Sequence, residues 1–164
     1  MPQLRSPVFP GSFDPPHLGH LDIAERALAV FGSLTIAVGA NSAKSPVFTC
    51  EERVQLLREA LGEREGLRIE SFEGLLVEYC RSNGHDVVVR GVRGGRDLDY
   101  EMPMAVANRT LYPDLDTVFF VTASEHAFHS STIIKELLAA GGDTSSFLPE
   151  AVLRAASDKF PALR

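Results

Sequence analysis

The sequence predicts an α/β fold: a single-domain, Rossmann-like, doubly wound parallel sheet of five strands with helices on both faces, spanning residues 1–164. Three observations carry this expectation. Short apolar, β-branched runs alternate with amphipathic helical stretches along the whole chain. The run Asp86-Val87-Val88-Val89-Arg90 is apolar on both faces, as a central parallel strand is. Residues 8–20 pass from an apolar pair through Pro10-Gly11 and a turn into a helix, the place where open α/β sheets hold anions.

Taken in order, the first helix carries the stripe Leu21, Ala24, Leu28, Phe31. Leu34 to Gly39 reads as a second buried strand, followed by the polar loop Asn41-Ser42-Ala43-Lys44-Ser45-Pro46. Thr49 and Glu52 form an S/T-x-x-E capping box opening a helix to Gly62. Leu67 to Phe72 is a third strand, and Leu75 to about Ser82 a helix closed by Asn83-Gly84. After the fourth strand, Gly91 to Arg96 reads as a glycine-rich turn, and a helix runs from about Leu98 to Leu111 with Pro103 as a kink or a late start. Thr117 to Val121 is the fifth strand. Ser130-Ser131-Thr132 caps a helix through Leu138. Pro149 starts the last helix, with Val152, Leu153, Ala156 and Phe160 as its apolar face.

Composition narrows the function classes. At 164 residues the chain suits one domain that buries roughly two thirds of its unfolded surface. A net charge of −6 argues against a nucleic-acid-binding surface. Cys50 and Cys80 stand apart with no CxxC, which favours reduced thiols and a cytoplasmic setting. No apolar run is long enough to span a bilayer. GxxxxGK[ST] and GxGxxG are both missing, leaving kinase and dehydrogenase readings without a motif.

The polar clusters share a topology. His17 and His20 follow strand one, Lys44 follows strand two, Arg90 to Arg96 follow strand four, and Ser130 to Thr132 follow strand five. All are expected at the carboxyl edge of the sheet, which points to one composite phosphate site. Gly11 and Gly19 lack a Cβ and are expected to admit close approach of a phosphate, while His17 and His20, three apart, both project from the first helical turn.

Gly-Ser-Phe-Asp-Pro (11–15) with His17-Leu18-Gly19-His20 resembles the nucleotidyltransferases that carry His-x-Gly-His. The remaining motifs sharpen the likeness: Lys44-Ser-Pro-x-Phe before Thr49-x-Glu51-Glu52-Arg53, Arg90-Gly91-x-Arg93, Tyr100-Glu101, Asn108-Arg109, Ser130-Ser131-Thr132-x-x-Lys135-Glu136 and Phe147-Leu148-Pro149. Over essentially the whole chain they resemble the phosphopantetheine adenylyltransferase family, which makes dephospho-coenzyme A and pyrophosphate from ATP and 4′-phosphopantetheine. That chemistry asks for positioning and cationic stabilisation rather than covalent catalysis.

The resemblance implies roles residue by residue. His20 stabilises the transition state at the α-phosphate. Ser12, Lys44, Leu76 and Arg90 bind the acceptor, Lys44 and Arg90 gripping its phosphate. Ser12, Phe13, His20, Gly91, Val92, Arg93, Glu101, His126, Ala127, Phe128, His129, Ser130, Ser131 and Thr132 bind ATP. Capping remains open for Ser130 to Thr132, a core position for Leu76, and an i,i+4 ion pair for Glu101. No protein-held metal is expected. A zinc site from His17, His20, His126 and His129 would lack the usual Cys or carboxylate ligand, whereas Mg²⁺ travels with the ATP phosphates. The likeness further implies a homohexamer and feedback inhibition by coenzyme A. Phe9 stands where Tyr is frequent, and His126 where Trp is frequent. His17 stands where many members carry Thr; the variant is common in nicotinate-mononucleotide adenylyltransferases, the alternative reading. The compact length, the Lys44 loop and the Phe147-Leu148-Pro149 tail favour the first.

Overall fold

A computed structural model of the protein describes residues 5–40 and 46–160. Strands β1 (Pro7–Gly11), β2 (Leu34–Gly39), β3 (Leu67–Phe72), β4 (Val87–Val92) and β5 (Asp116–Val121) form one sheet in the order β3-β2-β1-β4-β5. Every pairing is parallel. The helices are α1 (Leu18–Phe31), α2 (Cys50–Leu61), α3 (Leu76–Asn83), α4 (Gly95–Leu111), α5 (Ser131–Ala139) and α6 (Glu150–Lys159).

The period of two in the strands sorts the core into two layers. Phe9, Ile36, Val38, Val87 and Val89 face α1 and α2, packing on Ile23, Ala24, Ala27, Val54 and Leu57. Val8, Ala37 and Val88 face the other way, towards Val77 and Cys80 of α3 and Leu115 before β5. The crossovers α1 and α2, on one side of β1, thus share a face, α3 carries the chain across the other face to β4, and a crevice opens at the carboxyl ends of β1 and β4. A third cluster joins α2, α5 and α6 through Leu56, Ile134, Leu138 and Val152.

Local chemistry explains the helix ends. The capping box of α2 forms: Glu52 N–H donates to Thr49 Oγ1 at 3.2 Å and Thr49 N–H to Glu52 Oε2 at 2.7 Å. Gly84 closes α3 in the left-handed conformation. Elsewhere the elements depart from the sequence reading. Strand β4 continues through Gly91 and Val92, paired with Phe120 and Val121, so the glycine-rich turn shrinks to Arg93 and Gly94. Helix α4 starts at Gly95 and runs continuously past Pro103, whose exposed ring lacks only a backbone donor. Ser130 occupies the N-cap of α5 without a side-chain capping bond, and Pro149 is the N-cap of α6 rather than its first residue. In α1 the deepest residues are Ile23, Ala24 and Ala27, while Leu21, Leu28 and Phe31 are partly buried flanks.

Gly66, with φ of +78°, turns the chain into β3, and a Cβ there would stand 2.4 Å from the Gly32 carbonyl oxygen. Both the left-handed backbone and the contact penalise a side chain. Gly66→Ala is therefore expected to destabilise the fold by about 2 kcal/mol or more, read as a lower urea midpoint at unchanged m-value.

Candidate active site

The site grows out of the turn after β1. Phe13 adopts a left-handed conformation (φ 49°) that carries its ring back over Gly11, where a Cβ would meet it at 3.0 Å. The same ring lies edge-on to Phe9 and His20, at centroid separations of 5.3 and 4.9 Å. The space left by the missing Cβ of Gly19 is likewise taken by a side chain of this protein: the His17 ring lies 3.1 Å from that position. At both glycines the space that the sequence reading assigns to a phosphate is used for internal packing of the turn.

His17 and His20 cap each other. His20 N–H donates to His17 Nδ1 at 3.3 Å, His17 N–H donates to His20 Nδ1 at 3.2 Å, and the rings stack at 3.5 Å. An Nδ1 that accepts a main-chain N–H is unprotonated, so the neutral ring carries its hydrogen on Nε2. Burial pushes both imidazoles down: His17 to about 3, with His129, Arg93 and His126 adding to the effect, and His20 well below its ordinary value, with His17 and then Arg90 and Arg93 adding. His20 thus presents a neutral Nε2–H donor.

Two buried side chains hold the turn. Asp14, only 1% exposed, accepts the Val47 and Phe48 N–H groups at 2.9 Å each and lies 3.8 Å from Lys135 Nζ. Arg53, also 1% exposed, donates to the carbonyls of Ser12 (2.5 Å) and Gly39 (3.1 Å) after β1 and β2, and to those of Phe48 and Thr49 before α2. On the far side, Arg90 of β4 donates to both Glu101 carboxylate oxygens, at 2.7 and 2.5 Å, and to the Pro10 carbonyl at 2.8 Å. Arg93 forks onto Asp97 at 2.8 and 3.0 Å and reaches the His129 carbonyl at 3.2 Å. That pairing holds the Asp97 carboxyl below its ordinary range.

These groups line a cavity of about 560 Å³ that also takes in Thr122, His126, His129 and Ser130 to Thr132. A second cavity of about 270 Å³ adjoins it, walled by Phe72, Leu76, Val88, Met104 and Ala105. The two share Pro10, Gly11, Ser12, Arg90, Tyr100 and Glu101. Among the described residues no three His, Cys, Asp or Glu side chains are arranged to hold a metal ion.

The cytidylyltransferase-like family profile matches residues 8–137. The phosphopantetheine adenylyltransferase of Heliobacterium modesticaldum is 45% identical over 93% of this chain and 91% of its own length; that of Syntrophus aciditrophicus is 43% identical over 95% and 94%. The chain belongs to the phosphopantetheine adenylyltransferases, within the cytidylyltransferase-like family. It is accordingly a nucleotidyltransferase. Solved structures share the fold at low identity. A putative nicotinate-nucleotide adenylyltransferase from Vibrio parahaemolyticus superposes with a TM-score of 0.64 at 18% identity over 94% of each chain. A bifunctional NMN adenylyltransferase/ADP ribose pyrophosphatase from Francisella tularensis gives 0.68 at 16% identity over 89% of this chain; this chain spans 45% of that one.

Against the phosphopantetheine adenylyltransferase pattern, the large cavity gathers Ser12, Phe13, His20, Arg90, Gly91, Arg93, Glu101, His126, His129, Ser130, Ser131 and Thr132. Leu76 lies in the smaller one. Three expected positions fall outside both. Val92 is buried in the strand, Ala127 follows a single turn of 3₁₀ helix (Ser124–His126), and Phe128 is 81% exposed. Lys44 lies outside the described residues. Glu101 forms no i,i+4 pair with the helix; it holds Arg90 of the neighbouring strand. Ser131 Oγ donates to the Pro15 carbonyl at 3.2 Å instead of capping α5. Asp97 and Thr122 line the cavity without a place in the sequence reading, and Tyr100, quoted there only within the Tyr100-Glu101 motif, lines it as well. The i,i+4 spacing from Arg93 was a signal for Asp97, and the position just after β5 for Thr122.

Arg53→Met keeps the side chain's bulk but strands buried carbonyl oxygens at the ends of two strands. It is expected to cost about 3 kcal/mol or more, seen as a fall of several degrees in the melting temperature.

Proposed function

We propose that this chain transfers the adenylyl group of ATP to 4′-phosphopantetheine, giving dephospho-coenzyme A and pyrophosphate. The observation that carries the reading is the pair of adjoining cavities that meet at Ser12 and Arg90. A phosphate monoester at that junction would send an uncharged arm over Phe72, Leu76 and Met104, while the larger cavity takes ATP. An acceptor phosphate oxygen attacks the α-phosphorus, the α–β bridging P–O bond breaks, and pyrophosphate leaves.

In this proposal His20 donates its Nε2–H to an α-phosphate oxygen as charge builds there, and costs no reorganisation because the stack with His17 fixes its ring. Arg90 and Lys44 grip the acceptor phosphate. Arg93, with Ser130 to Thr132 at the α5 N-terminus, attends to the β- and γ-phosphates. Mg²⁺ enters as part of the ATP substrate. The nearby carboxylates of Asp97 and Glu101 are engaged with Arg93 and Arg90, so the phosphates and water would supply most of its ligands. The proposal includes a cytoplasmic setting, a homohexamer and inhibition by the end product coenzyme A. Helix α4 supports assembly: it buries only Asn108 fully and leaves Tyr100, Met102, Met104, Val106 and Leu111 exposed.

Three outcomes test the reading. An adenylyl-transfer assay offering 4′-phosphopantetheine and nicotinate mononucleotide side by side is expected to favour the former in kcat/KM; the opposite preference sinks the proposal. His20→Ala is expected to lower kcat by roughly 10²-fold or more with a much smaller change in KM for ATP. Lys44→Ala or Arg90→Ala is expected to weaken use of 4′-phosphopantetheine by about 10- to 100-fold, and ATP binding less.

A further inference from the structure

His126 and His129 bring two more imidazoles to the cavity wall. Ring centroids lie 3.5 Å apart from His20 to His17, 6.0 Å from His17 to His129 and 4.7 Å from His129 to His126. The four rings form one continuous row along the side where Arg93 and the start of α5 meet the N-terminus of α1. His129 is 6% exposed, and its Nδ1 is buried without a hydrogen-bond partner among the described residues; the same holds for His126 Nδ1. Buried ring nitrogens nearly always have a partner, so an unpartnered pair on a cavity wall calls for one from outside the chain.

The charged groups around the row are Arg90, Arg93 and Asp14, each engaged by partners within the protein, and the exposed Glu125 beside His126. The N-cap and first turn of α1 bring His17 and His20, whose Nδ1 atoms are occupied by main-chain N–H groups. Arg90 comes from β4 and Arg93 from the following turn, and their partners Glu101 and Asp97 on α4 spend their carboxylates on those guanidiniums. Asp14 is taken up by the Val47 and Phe48 N–H groups and by Lys135 of α5. The Phe147 ring, 5.1 Å from His129, closes the remaining side without charge. Burial pushes the His129 imidazole down, with His126 adding, and His17 more strongly.

We propose that His129 is a proton-linked receptor for the polyphosphate end of the nucleotide: as the anion enters, one proton passes from solvent to this imidazole, and the imidazolium then faces the phosphates. The balance is one proton taken up on binding and returned to solvent when pyrophosphate departs. The inference rests on the ATP reading of the large cavity. An anion a few ångströms away opposes the burial and the His126 charge that hold this ring's proton affinity down, and raises that affinity by about 1–3 pH units. Because the free protein binds this proton weakly and the complex binds it strongly, affinity rises as pH falls through the interval between the two values.

The test is calorimetric titration of the whole protein with MgATP at pH 7 in two buffers of different ionisation enthalpy, which counts protons exchanged. Protonation of the nucleotide itself is common to all variants and cancels in the comparison. The wild type is expected to take up roughly half a proton or more beyond His129→Asn, and its affinity to fall on the order of threefold more steeply per pH unit between pH 6 and 8. Long-range ¹H–¹⁵N spectra of ¹⁵N-histidine-labelled wild type, with and without MgATP, read the same event without a mutation: one ring is expected to move to the imidazolium pattern. Equal proton uptake by wild type and variant, or ring nitrogens unchanged on binding, overturns the inference and leaves the nucleotide reading standing. No binding heat with MgATP overturns both.

Discussion

The site depends on one buried guanidinium. A parallel sheet ends with carbonyl groups at the carboxyl termini of its strands, and at the switch point no further strand continues to satisfy them. Arg53 meets that need from α2, binding the carbonyls that follow β1 and β2 and those at its own helix entrance. Ser12, at the junction of the two cavities, is thereby tied to the start of α2. Asp14 completes the arrangement with the opposite charge: its carboxylate accepts the two N–H groups of residues 47 and 48 that no strand or helix supplies. An arginine and an aspartate, each nearly inaccessible, thus do with side chains what a ladder does elsewhere, and Val47 and Phe48, just before α2, are anchored by the same contacts.

The remaining arginines are arranged on a different principle. A guanidinium has five N–H donors in a rigid fork. In Arg90 three bonds fix the group to Glu101 and Pro10; in Arg93 three fix it to Asp97 and His129. The acidic partners orient the forks and remove the entropy cost of ordering them later. They also lower the net positive charge of the crevice. Arg53 serves the fold, while Arg90 and Arg93 are held at the border between fold and ligand.

The sequence reading was strongest where one physical rule acted alone. Strands β2 and β3 match the expected bounds end to end, β2 as an apolar run and β3 by its alternation of Leu67, Ile69 and polar residues, and the α2 capping box follows from Thr49 and Glu52. It failed where tertiary contact overrides a local signal. Gly91 looks like a turn residue, yet it continues β4 because a Cβ there would press on Ile23 of α1 at 3.1 Å; the glycine marks close helix–strand packing. Arg90 and Glu101 are 11 residues apart, a spacing that belongs to neither helix nor strand, so their ion pair follows only once α4 is laid against β4. Val92 and Gly91 were assigned together, but alternation along the strand sends one into the core and the other to the cavity wall.

The reciprocal histidine cap carries the argument from fold to chemistry. A helix N-terminus usually satisfies its first N–H groups with Ser, Thr, Asp or Asn; here two imidazoles do it for each other. The substitution has consequences a hydroxyl cap lacks. Accepting through Nδ1 fixes the tautomer, so each ring offers Nε2–H outward, and stacking at 3.5 Å makes protonation of either ring costly for the other. The pair is therefore a rigid, uncharged donor at the positive end of a helix dipole, a place that favours anions and disfavours a resident cation. A neutral donor there strengthens as negative charge accumulates on the group it faces, and releases that group when the charge disperses. In the role proposed for His20 this is the property wanted beside an α-phosphate, where tight holding of substrate or product would slow turnover.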